Sequence, residues 1–120
     1  MLARLNVMES LPIINRSYDL YKSVVDITGH LEKRWRYSLG QSLEASVLDL
    51  LGELIMAKNA PKSLKAPYLI KASAHLEIST LKLRLCLELK VVNETKIFQC
   101  QAATDEIGRM LGGWQKSLTS

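Results

Sequence analysis

Cysteine occurs only twice in the 120 residues, at positions 86 and 100. Two isolated thiols exclude a disulfide framework, and each falls in a helical pattern, so both read as buried free cysteines. Aromatic residues are scarce as well, at 6% with a single phenylalanine. That scarcity, beside abundant leucine, disfavours a β-sandwich and leans towards helices. No stretch free of charged residues exceeds eight positions, Ile97 to Thr104, whereas a membrane span needs about 20 apolar residues. Arg4 and Glu9 interrupt a weakly apolar N-terminal stretch, which argues against a secretory signal. The expectation is a cytoplasmic chain with no membrane partner.

The patterns of common active sites are missing too. His30 and His75 have no acidic residue three positions earlier, so the Glu-x-x-His motif of di-iron bundles is absent. There is no Cys-x-x-Cys or paired-histidine motif for zinc. Gly108, Gly112 and Gly113 lie at the wrong end of a helical pattern to cradle phosphate. No serine shows a motif that pairs it with either histidine. The chain therefore reads as no enzyme, with no catalytic residue, no metal ligand and no cofactor.

What is present is a globular composition, 48% hydrophobic and 23% charged, in a length that fits one domain spanning residues 1–120. Hydrophobic periodicity predicts four helices at about 11–31, 39–58, 66–92 and 94–115. Ser10 and Pro12 read as a helix start. Ser38 with Gln41 fits a capping box opening the second helix. That helix carries Leu39, Leu43, Val47, Leu50, Leu51, Leu54 and Ala57, and Asn59-Ala60-Pro61 ends it, with asparagine able to turn left-handed. Pro67 opens the third helix. Asn93 caps the fourth, whose face is Cys100, Ala103, Ile107, Leu111 and Trp114, and Gly112-Gly113 loosens or stops it. Short links make an antiparallel up-and-down bundle the default topology, all α.

Two helices carry more apolar surface than one protomer needs. On the third, Leu69, Ala72, Leu76, Leu83 and Leu87 form one stripe, and Ala74, Ile78, Leu81, Leu85, Leu89 and Val92 lie roughly opposite. On the first, Leu11, Ile14, Tyr18, Tyr21 and Val25 make one face, with Ile13, Leu20, Val24, Ile27 and Leu31 behind it. A bundle helix at the surface needs one apolar face, and a second usually marks an interface. The expected oligomer interface is Val24, Ile27, Ile78, Leu81, Leu85 and Leu89.

The formal charge of +4 permits an anionic partner without demanding one. Lys33, Arg34 and Arg36 bracket Trp35 and Tyr37 in a segment read as a connection. They fit either the negative end of the first helix dipole or phosphates with a ring for stacking. A second basic set is Lys58, Lys62 and Lys65, with Lys71 beyond it. On the third helix, Lys71 and Lys82 project to one flank and Arg84 to the other. The candidates for nucleic-acid contact are Lys33, Arg34, Arg36, Lys71, Lys82 and Arg84.

Arg36-Tyr37-Ser38-Leu39-Gly40, the leucine-rich run Leu76 to Leu89 and, above all, the tail Asp105-Glu106-Ile107-Gly108-Arg109-Met110-Leu111-Gly112-Gly113-Trp114 resemble the accessory variability determinant (Avd) proteins of diversity-generating retroelements. The resemblance covers roughly residues 15 to 117. It implies a four-helix bundle that assembles into a five-membered, positively charged barrel, a homopentamer. It also implies binding to RNA or DNA and to the element's reverse transcriptase, in support of mutagenic copying of a template RNA. The competing reading is a structural or protein-interaction bundle without a nucleic-acid role, including the four-helix family encoded in ribosomal RNA intervening sequences.

Overall fold

A computed structural model describes residues 2–119 of the chain, with side chains from residue 12 onward. Four long helices run α1 (Leu2–Gly29), α2 (Gln41–Asn59), α3 (Lys65–Glu88) and α4 (Glu94–Ser117), and the described residues contain no strand. Consecutive helices pack side by side and α4 returns to α1, closing a four-helix bundle. The direction of the return is visible in two ion pairs. Arg16 meets Glu106 and Asp26 meets Lys96, so numbers rise along α1 as they fall along α4, which is antiparallel.

One apolar stripe per helix makes the core. The whole expected faces of α2 (Leu43 to Ala57) and of α4 (Cys100 to Trp114) are buried. On α3, Leu69, Ala72, Leu76 and Leu83 are buried as expected, joined by Cys86. The faces of α1 are exchanged relative to expectation. Ile13, Leu20, Val24, Ile27 and Leu31 are the buried set, while Tyr18 and Val25 stand exposed. The all-aliphatic stripe takes the core because burying it leaves no polar group unpaired, whereas a buried tyrosine hydroxyl needs a partner; Ile14 and Tyr21 flank it, only partly buried. Cys86 and Cys100 both lie in this core as free thiols. Burial raises both above the ordinary thiol value, Cys100 to about 11.

The helix boundaries show what the local signals meant. Pro12 does not start α1 but lies inside it; the Ser10 and Leu11 side chains lie outside the described residues. The segment read as a connection is helical, with an α turn at Lys33–Trp35 and a π turn at Arg36–Gly40 leading into α2. Ser38 is accordingly no cap: its hydroxyl donates back to the carbonyl of Arg34 at 2.7 Å. Asn59 stays helical, and the chain leaves through an extended Ala60. Beyond Pro61, α3 begins at Lys65, two residues before Pro67. Asn93 does cap α4, its side chain accepting from the Thr95 N–H at 2.8 Å, and α4 runs through Gly112-Gly113 to Ser117.

α3 stops at Glu88, short of Val92, because Lys90 turns left-handed at φ 55°. The Val91 N–H then donates to Cys86 O at 3.3 Å and the Lys90 N–H to Leu87 O at 3.1 Å. This is a Schellman ending with lysine where glycine is usual.

Of the six glycines, Gly40 has the least room for a side chain. A Cβ there would lie 2.7 Å from Thr28 Cγ2, 3.1 Å from Leu31 Cδ1 and 3.3 Å from the Trp35 carbonyl oxygen. Gly112 is the opposite case, with nothing within 4 Å, and at Gly108 a Cβ would make only an ordinary contact with Leu76. Neither glycine therefore marks a close helix contact within the protomer.

Gly40→Ala should destabilise the protein by about 1–3 kcal/mol through overpacking. Gly112→Ala should stabilise it by about 0.5–1 kcal/mol through helix propensity. Urea unfolding of the two variants checks the opposite signs. The ammonium of Lys96, hydrogen-bonded to Asp26, holds that carboxyl below the usual carboxylate range. Its contribution is therefore full above the unfolded value and lost as pH falls through the lower folded value. Asp26→Asn should flatten the acid limb of a stability–pH profile and leave the alkaline limb in place.

Candidate nucleic-acid interface

The six cations singled out by charge and position do not form one surface. Arg36 is half-buried, and its Nη2 donates to the carbonyls of Gly29 at 3.3 Å and Leu31 at 3.2 Å. It caps the end of α1, where a cation also meets the negative end of the helix dipole. Lys82 reaches across to α2, donating to the Ser42 carbonyl at 2.9 Å and to the Ser46 hydroxyl. Arg84 is exposed but paired with Glu88 at 2.8 Å. Lys71 is exposed, yet about 20 Å from Arg84 along α3 at 1.5 Å per residue. Lys65, from the second basic set, is 2% exposed, and its ammonium donates to the carbonyls of Ala57 at 2.7 Å and Lys58 at 3.1 Å. It closes the C-terminus of α2 much as Arg36 closes that of α1.

Lys33 and Arg34 remain as outward cations. Arg34 is exposed, and its guanidinium lies over the Trp35 ring at 4.5 Å from the centroid. Trp35 itself packs against the core, so Arg34 rests on a fixed platform. Tyr37, one turn on, is 58% exposed. The α3–α4 link, with exposed Lys90, lies at the same end of the bundle by topology. The candidate interface is this end, carried by Lys33, Arg34 and Tyr37.

The outer apolar surface is organised differently from expectation on α1. Val24 and Ile27, proposed from the sequence for the oligomer interface, are 0% and 1% exposed inside the protomer. Among the described side chains of α1, the large apolar ones left outside are Tyr18 and Val25. On α3 the second stripe does face outward: Ile78, Leu81, Leu85 and Leu89 are 41–55% exposed, with Ile70 continuing it towards the N-terminus. Leu48, Ile55 and Met56 add an outward set on α2 that sequence reasoning missed. Their three- and four-residue spacing around Gly52 was the available signal. The exposed positions of α4 are mostly polar or glycine, Phe98 being its large apolar exception.

A cleft of about 540 Å³ separates α1 from α4, lined by Arg16, Ser23, Asp26, Lys96, Gln99 and Cys100 among others. None of the six candidates lines it, and its Arg16 and Lys96 are engaged by Glu106 and Asp26. Among the described residues no cluster of histidine, cysteine and carboxylates could hold a metal ion. No helix among them is long and apolar enough to cross a membrane.

A family model described as bAvd-like matches residues 11–118 of the chain. No curated protein matches it.

Arg36→Ala should cost about 1–2 kcal/mol of stability, the lower part of the range for charged hydrogen bonds because the group is half-exposed. Lys33→Ala and Arg34→Ala should each stay within about 0.5 kcal/mol. Thermal or urea melts of the three variants separate the structural cation from the two outward ones.

Proposed function

Since the chain belongs to the bAvd-like family, an Avd-type accessory family, we propose that it serves a diversity-generating retroelement as a non-enzymatic partner of the reverse transcriptase. In this reading it binds nucleic acid as a homo-oligomer, a pentameric ring or barrel, and supports mutagenic reverse transcription. The family match carries the proposal, and two physical features support it. The outward stripe of Ile78, Leu81, Leu85 and Leu89 on α3 offers the apolar surface that association needs. Burying a large aliphatic side chain contributes about 1.5–3 kcal/mol relative to leaving it in water. Repetition of Lys33 and Arg34 around a ring would gather a modest protomer charge into a stronger collective field.

A protein-interaction bundle without a nucleic-acid role gains from one observation. Arg36, Lys65 and Lys82 point their cations at the chain's own carbonyls, which lowers the charge available to phosphate.

Light scattering with and without a short structured RNA decides between them. The expected result is a particle near five times the 13.5 kDa protomer that gains mass with RNA at low salt and loses it at high salt. An oligomer indifferent to RNA would favour the interaction bundle, and a monomer would remove the assembly. The double substitution Leu81→Glu/Leu85→Glu should yield a folded protomer of 13.5 kDa, with helical circular dichroism kept.

A further inference from the structure

The segment Arg36–Gly40 is a π turn, a conformation that often marks functional positions. Four of its five residues have an evident internal role. Arg36 caps α1 and Ser38 bonds back to Arg34. Leu39 is buried, and Gly40 is pressed against Thr28 and Leu31. Tyr37 has no such role, and its side chain is 58% exposed.

The other rings differ. Trp114 is buried; Trp35, Tyr21 and Tyr68 pack against the core. Tyr18 is exposed but lies under its own chain's Lys22, at 5.2 Å from the ring centroid. Phe98 is exposed on α4, and the positions three and four residues to either side of it, Glu94, Thr95, Gln101 and Ala102, carry no cation. Only Tyr37 combines an open ring with neighbouring outward cations. Lys33 and Arg34 precede it by four and three residues, and all three are exposed within the short helical turns that lead into α2. Arg34 is already held by Trp35, so part of its ordering cost on binding is met in advance.

We propose that Tyr37, flanked by Lys33 and Arg34, is a stacking site for one unpaired base of a single-stranded nucleic acid. The inference rests on the nucleic-acid reading above and narrows it. Aromatic rings beside cations hold single strands because every base has a π face, whereas the bases of a duplex are stacked on one another and closed to the ring. A protein partner is the poorer occupant, because a tyrosine anchor at a protein interface sits within a well-packed, water-excluding rim. Residues 32–38 instead offer Glu32, Lys33, Arg34, Arg36 and Ser38 around the two rings. The site takes bases with little regard to sequence.

Fluorescence anisotropy tests this with a labelled oligouridylate or oligothymidylate, about 20 nucleotides long, and a duplex of equal length at low salt. Tyr37→Ala should weaken single-strand binding roughly 5- to 150-fold, the range for loss of one base–aromatic stack. Tyr37→Phe should keep the single-strand affinity, and duplex affinity should stay within about twofold for both, as no stack is lost there. Lys33→Gln/Arg34→Gln should weaken both ligands and reduce the salt slope. Equal single-strand affinity for wild type and Tyr37→Ala overturns the stacking site alone. So does an equal loss in the Ala and Phe variants, which would mean a hydroxyl contact. Loss of polymerase capture by Tyr37→Ala with unchanged oligonucleotide binding would assign the ring to a protein partner and overturn it as well. A wild-type protein that binds neither oligonucleotide removes the nucleic-acid reading and this site with it. Unchanged circular dichroism confirms that the variants are folded.

Discussion

How near α2 can begin to the end of α1 decides much of this molecule. The approach is set at Gly40, where there is no room for a Cβ between Thr28, Leu31 and the Trp35 carbonyl. Thr28 is itself fixed, its hydroxyl donating to the Val24 carbonyl at 2.9 Å. With the two helices this close, the turns from Lys33 to Gly40 fold over the end of α1 and do not loop away from it. Arg36 then falls within reach of the Gly29 and Leu31 carbonyls. The residues facing the other way, Lys33, Arg34 and Tyr37, are left to solvent. One steric constraint thus stabilises the bundle and composes its cationic end.

Apolar surface divides into two populations with different consequences. Among the described residues the inner one is closed: each helix contributes a single stripe, and most of its side chains are fully enclosed. The outer one lies on α1, α2 and α3, while α4 shows mainly polar side chains and glycines. An uneven distribution of this kind gives association a direction. A surface apolar on every side would favour indiscriminate aggregation, whereas a polar face limits which sides of a protomer can meet another. The proposed ring is consistent with that asymmetry.

The fold was legible wherever one apolar periodicity dominated. Leu43 to Ala57 on α2 and Cys100 to Trp114 on α4 were identified as core faces and are buried. Where two apolar stripes compete on one helix, spacing alone cannot choose between them. On α3 the expected stripe is the buried one; on α1 the other stripe is, and Tyr18, a ring with a polar tip, stands in water. The candidate site was only partly legible, for a different reason. Arg36, Lys65 and Lys82 bond to backbone carbonyls 5, 8 and 40 positions away, and carbonyls are the same at every position of a sequence. Ser38 misled for a related reason: a serine before a helix caps it only if the preceding residues are not helical, and here they are.

The two cysteines give the protein an internal clock. Cys86 on α3 and Cys100 on α4 are both enclosed in the core, and burial keeps their protons on, Cys100 to about 11. The thiolate is the form that attacks an alkylating reagent or a disulfide, so burial slows both residues while the bundle is closed. The rate at which the thiols become modified at neutral pH thus reports how often the bundle opens around them, Cys100 from the side of the α1–α4 cleft and Cys86 from within the core.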